Sequence, residues 1–377
     1  MSGSDVNPLR QLAEIGQSVY LDEISRNMLR GGELERLIRD DGLHGVTSNP
    51  AIFEKAISGS DAYDAAIHDL TRAGRSTEEI YESLVIDDIQ EAADLFGDLY
   101  RTSDGQHGFI SLEVSPRLAH DTAATVEEAR RFWATVNRPN VFIKVPGTAA
   151  GLPAIRRLTA EGVKLNVTLL FGLERYRAVA EAYLSGLEDR LAANQPLAGG
   201  ASVASFFLSR IDVAIDARLD ELAERGGEPG RLARELRGKA AIASAKRAHV
   251  IYREVFESGR FERLEVHGAR PQRLLWASTG VKDESYSDTM YVEPLVGAGT
   301  ITTLPRETLD AYRDHGEPVA DRLSEGLEAA QRELDALGEL GIDLDAVTEL
   351  LEAEGVDKFV KPFDELLAAI AEVSAEA

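Results

Sequence analysis

The feature that most restricts this chain is an alternation repeated along most of its length. Short, β-branched, apolar stretches are followed by longer segments with the 3.6-residue rhythm of a helix. That is the pattern of βα units on a parallel sheet. Eight stretches read as strands: 18–24, 45–48, 109–114, 141–145, 164–170, 201–207, 273–278 and 290–296. Eight parallel strands predict a closed α/β barrel, the (β/α)8 or TIM type, a fold that reaches 377 residues when helices are added to it. No repeat or low-complexity stretch divides the chain, so the reading is a single domain over 1–377. The clearest helical segments are 77–98, 125–135, 153–160, 174–189 and an unusually long 230–258, which follows the ERGGEPG loop at 224–230. Residues 318–377 read as a helical C-terminal extension packed on the outside of the barrel, its acidic runs forming solvated faces.

Composition narrows the function. With no cysteine, the chain has no disulfide scaffold, thiolate nucleophile or cysteine metal site. The start, MSGSDVNPLR, lacks the basic and apolar segments of a leader, and apolar runs are strand-sized, so a cytoplasmic protein is expected. A net charge of −24 opposes nucleic acid and anionic membranes, and no cluster of Lys and Arg offsets it. An anionic small substrate would need a local cationic pocket. The seven histidines show no metal-ligand spacing, so no metal and no cofactor is expected. Outer barrel helices allow a monomer or a homodimer.

Of only eight lysines, Lys144 sits inside an apolar strand, between Ile143 and Val145. Burying an ammonium in a barrel costs desolvation free energy and favours the neutral amine, which is the form that attacks a carbonyl. Lys144 is therefore a Schiff-base candidate, unless it snorkels to solvent or pairs with a buried carboxylate. Lys164 begins its strand and is expected at the opposite, solvent-exposed rim.

Barrel active sites form at the C-terminal ends of strands, so polar residues late in apolar strands are informative. Asp22, Asn49, Glu113, Asn166 and Thr168 fit that description. Asn166 and Thr168 are two apart and share a face. Each alone could be a strand-end cap, but with Lys144 on the fourth, a polar residue on each of the first five strands is harder to explain structurally. Ser205 comes late in the sixth strand, and Arg210 follows in a loop or first helical turn, where its planar fork can grip a phosphate or, less informatively, pair with Asp212. The small-residue loop 276–282, ending in Lys282, could complete an anion pocket.

Together the segments GVTSNP (45–50), SLEVSPRLAHD (111–121), FIKVPGT (142–148), NVTLLF (166–171), SFFLSRID (205–212) and WASTGVK (276–282) resemble the transaldolase family in order and position. The likeness runs from Asp22 to the KFVKPFDELL segment, and the long helical tail is similar to the longer, actinobacterial-type branch. The resemblance implies that Lys144 forms a Schiff base with C2 of a ketose phosphate. Glu113 and Thr168, with a water, would dehydrate the carbinolamine, and Asp22 would take the C4 hydroxyl proton. Asn49 and Asn166 would hold the dihydroxyacetone enamine, Thr47, Ser205, Phe207 and Ser278 would line the site, and Arg210 would contact phosphate. Shorter members carry a second arginine where this chain has Gly280, so Lys282 is the candidate for that contact. Two rivals remain: a fructose-6-phosphate aldolase type of lyase, disfavoured by Phe207, Glu113 and the chain length, and a silent barrel that only binds.

Overall fold

The computed structural model describes residues 7–376, so the first six residues, on which part of the leader reading rests, lie outside it. Eight parallel strands close into a barrel in chain order: β1 Ser18–Leu21, β2 Gly45–Val46, β3 Phe109–Glu113, β4 Val141–Pro146, β5 Leu165–Leu170, β6 Ser202–Phe207, β7 Gln272–Ala277 and β8 Ile301–Leu304. β1 pairs with both β2 and β8, which closes the ring. The strands are buried from end to end apart from one position of β7, as expected of a sheet covered by helices on one side and filled by side chains on the other.

Seven strands lie where the sequence places them, within a few residues. The eighth does not. Residues 290–296 contain a 3-10 turn, Glu293–Leu295, and the closing strand is the ITTL segment five residues further on. Pro294 explains the difference, since a proline cannot donate to the central ladder that a closing strand must make on both sides. The long helix expected at 230–258 is two, Gly227–Leu236 and Ala240–Phe256, separated at Gly238, whose φ of +69° lies in the left-handed region.

The C-terminal extension also departs from expectation. The helix Leu327–Glu339 packs against Ala240–Phe256 on the barrel's exterior, as read. The final helix, Leu344–Ser374, instead crosses the C-terminal mouth. Its buried stripe, Val356, Phe359, Phe363, Leu366 and Ile370, recurs at three- and four-residue spacing. Gly355 permits the close approach, because a Cβ there would come within 3.0 Å of Leu169 at the end of β5. Phe363 packs edge-on to Tyr81 at 5.2 Å, and Arg175 pairs with Glu352 at 2.8 Å to tie the helix down.

Candidate active site

Register builds the site. Glu113, Lys144 and Asn166 are direct partners across β3, β4 and β5, so their side chains enter the barrel at one level. Lys144 Nζ lies 3.1 Å from Glu113 Oε2 and donates to the Ser48 carbonyl at 3.2 Å. Glu113 Oε2 receives no well-aligned hydrogen bond, so charge more than directed bonding holds the pair. Burial pushes the Glu113 carboxyl above the usual carboxylate range, against the opposing pull of Lys144. The alternative in which Lys144 snorkels outward is thereby removed, since its side chain is 5% exposed.

Asp22 follows β1 directly, its amide bonded to the Leu304 carbonyl at 2.8 Å. Thr47 donates to its carboxylate at 2.6 Å and contacts Thr303 of β8 at the same distance. Burial raises the Asp22 carboxyl too, while Lys144, the Thr47 hydrogen bond and Arg210 pull it back. Asn49 does two things at once: its side-chain oxygen caps the helix Pro50–Ser58 at Ile52, and its residue lines the cavity. The cap orients the group and consumes the oxygen, leaving the NH2 as the available donor. Asn166 is fixed on both sides, donating to Ser111 and accepting from Ser205 at 2.7 Å. Thr168 shares its face, and its buried hydroxyl has no partner among the described residues. β5 is irregular at this point, with Leu169 held at φ +62°, so its end bends beside the site.

Nine of the expected residues line one cavity of about 210 Å³: Asp22, Thr47, Asn49, Lys144, Ser205, Phe207, Arg210, Ser278 and Lys282. Glu113, Asn166 and Thr168 are not in that lining, although Glu113 touches Lys144 and Asn166 touches Ser205. Arg210 is in the first turn of the helix Ser209–Arg225 and does not pair with Asp212, which instead accepts from Ala241 N and the Tyr291 hydroxyl. A buried guanidinium nitrogen of Arg210 has no hydrogen-bond partner among the described residues. An unsatisfied buried donor of that kind favours an anion. Ser278, at φ +55°, bonds to Ser209 at 2.9 Å and turns the β7 loop toward Arg210. Lys282 reaches the same rim, its Nζ 3.7 Å from where a Cβ at Gly280 would sit.

Phe359 was missed. It lines the cavity from the final helix, its ring 5.6 Å from Lys144 Nζ and 5.8 Å from the Arg210 guanidinium. The apolar stripe could have marked it as buried, but not what it is buried against. Thr303 was missed with its strand. Lys164 was misjudged: it does lie at the opposite end of the barrel, yet it is 8% exposed, bonded to the Tyr100 hydroxyl and the Pro139 carbonyl. Among the described residues, no helix is long and apolar enough to cross a membrane.

A strand lysine against a carboxylate, a second carboxylate in the same cavity and an unpaired arginine at its rim form a consistent set. The family described as Transaldolase/Fructose-6-phosphate aldolase matches residues 19–370. A transaldolase of Thermobifida fusca is 50% identical over 366 residues, covering 97% of this chain and 98% of the relative. One from Saccharopolyspora erythraea is 50% identical over 97% of each chain, and one from Mycolicibacterium smegmatis 47% over 96% of each. The chain therefore belongs to the transaldolase/fructose-6-phosphate aldolase family.

Proposed function

We propose that this enzyme transfers a dihydroxyacetone unit from fructose 6-phosphate or sedoheptulose 7-phosphate to glyceraldehyde 3-phosphate or erythrose 4-phosphate, as a transaldolase of the non-oxidative pentose phosphate pathway. The observation that carries the reading is the 3.1 Å contact of Glu113 with Lys144, which lines the same cavity as Asp22. An ammonium must shed its proton before it attacks C2 of the ketose. Glu113, its carboxyl raised by burial, is placed to accept it. The carbinolamine then loses water, with Glu113 and the unpartnered Thr168 hydroxyl exchanging the protons. In the protonated imine, nitrogen draws electrons from the C3–C4 bond while Asp22 removes the C4 hydroxyl proton. Glyceraldehyde 3-phosphate leaves and an enamine remains on Lys144. The enamine carbon attacks the acceptor aldehyde, Asp22 returns the proton, and hydrolysis frees the new ketose and the lysine.

Asn49 and Asn166 hold the retained hydroxyls, and Arg210 with Lys282 holds the phosphate. Thr47, Ser205, Phe207 and Ser278 shape the walls. The reading includes a cytoplasmic enzyme, monomer or homodimer, in one domain; the last point is supported by the continuity of the barrel's core with Phe359, Phe363 and Ile370. The test is glyceraldehyde 3-phosphate release from fructose 6-phosphate, with and without erythrose 4-phosphate, in a dehydrogenase-coupled assay. Release that needs the acceptor is expected. Sustained release without it would make the enzyme an aldolase lyase, and none in either case would leave a barrel that only binds.

A further inference from the structure

The larger cavity of this barrel is not the one that holds Lys144. A space of about 430 Å³ opens at the N-terminal mouth, the end that in this fold serves stability. Arg273 lies in its wall, and every group it bonds is neutral: the carbonyls of Gly299, Thr300 and Gln106, and the Ser18 hydroxyl. Among the described residues it makes no ion pair. Arg270 lines the cavity beside it and buried Lys164 lies near Arg270; among the described residues the one carboxylate paired with these cations is that of Asp104, itself on the surface. In a chain of net charge −24, this floor is locally positive.

The remaining wall is aromatic and partly unsatisfied. Tyr20, fully buried, carries a hydroxyl with no partner among the described residues, and Nδ1 of His44 has none there either. Phe109 and Phe142 stack at 4.1 Å along one side. His44 and His107 do not add charge near neutral pH, because burial and Arg273 hold them down to about 3 and about 4. A half-buried cation without a counter-ion attracts an anion, and an unpaired buried hydroxyl is costly; one anionic ligand with an apolar body would satisfy both.

We propose that this N-terminal cavity binds a small organic anion, with its acidic group on Arg273 and the Tyr20 hydroxyl and its apolar part against Phe109 and Phe142. The site is independent of the catalytic reading, since it shares no residue with the Lys144 cavity.

The experiment is calorimetric titration of the full-length Arg210→Ala/Lys282→Ala protein, which lacks both phosphate contacts proposed for the catalytic cavity, with phenyl phosphate as probe and inorganic phosphate alongside. One saturable site for phenyl phosphate is expected, with inorganic phosphate at least about tenfold weaker. Ala13→Trp, added at the partly exposed rim of the cavity, should weaken phenyl phosphate by about tenfold or more, and Tyr20→Phe by about threefold. The phenyl substitution removes one oxygen and keeps the ring, so it reports on the site even if the tryptophan variant fails to fold. Absence of binding, binding unchanged in both variants, or equal binding of the two probes would overturn the proposal.

Discussion

Lys144 lies on β4 and Lys164 directly before the neighbouring β5, both buried, both against aromatic rings, and they are equipped in opposite ways. Lys144, near the C-terminal end of the barrel, faces a carboxylate at 3.1 Å and a cavity. Lys164, at the N-terminal end, bonds only a phenol and a carbonyl, and burial lowers its pKa to about 8. Lys164 therefore reaches the neutral, nucleophilic form more readily than an ordinary lysine. What it lacks is an adjoining group to take and return protons. A lysine is made useful by what surrounds it, and the two ends of one sheet supply different surroundings.

The largest test of that contrast is covalent trapping. Borohydride reduction with fructose 6-phosphate should label the native enzyme and Lys164→Met, and fail on Lys144→Met, with turnover reduced at least about a thousandfold only in the latter. Labelling of Lys144→Met would break the comparison. Next in size is Arg210→Ala: losing a charge-assisted contact to phosphate should raise KM about ten- to a hundredfold with a smaller change in kcat, as read from steady-state kinetics. An unchanged KM would remove Arg210 from the phosphate site.

The third test concerns stability. Below about pH 8 Lys164 is charged in both the folded and unfolded chain, and the fold bears the full desolvation cost. Between about 8 and the ordinary lysine value of 10.5 the unfolded chain keeps a proton that the folded chain has lost, so this group makes stability rise with pH. Denaturant unfolding at pH 7.5 and 10 should show a rise of up to roughly 3 kcal/mol that Lys164→Met lacks. Identical pH dependence in the two proteins would refute it. The smallest effect is expected of exposed Lys282, whose replacement by alanine should raise KM about threefold, more at low salt. A change as large as that of Arg210→Ala would make it an equal partner.

How much of this was legible depended on whether the signal was local. Lys144 was, because a charge in the middle of VFIKVP contradicts its own neighbours. Asp22, Asn49, Glu113 and Asn166 were, because polar ends on successive strands share one period. Phe359 was not: its stripe says that a helix face is buried, and nothing within the helix says that the burial is over the barrel mouth. β8 was misplaced because the run at 290–296 is longer and more apolar than ITTL, and only Pro294 argued against it.

The sequence by itself determined the βα rhythm, the strand lysine and the polar strand ends, since each follows from periodicities of two and 3.6 residues acting within a few residues of chain. The tertiary structure decided the rest. Only ring closure brings Asp22 and Thr303 to Thr47, only the register across β3 to β5 sets Glu113 beside Lys144, and only the packing of the last helix puts Phe359 over both Lys144 and Arg210. These contacts join residues tens to hundreds of positions apart. Their energies depend on surfaces that do not exist until the barrel closes, so no local stretch of sequence can encode them alone.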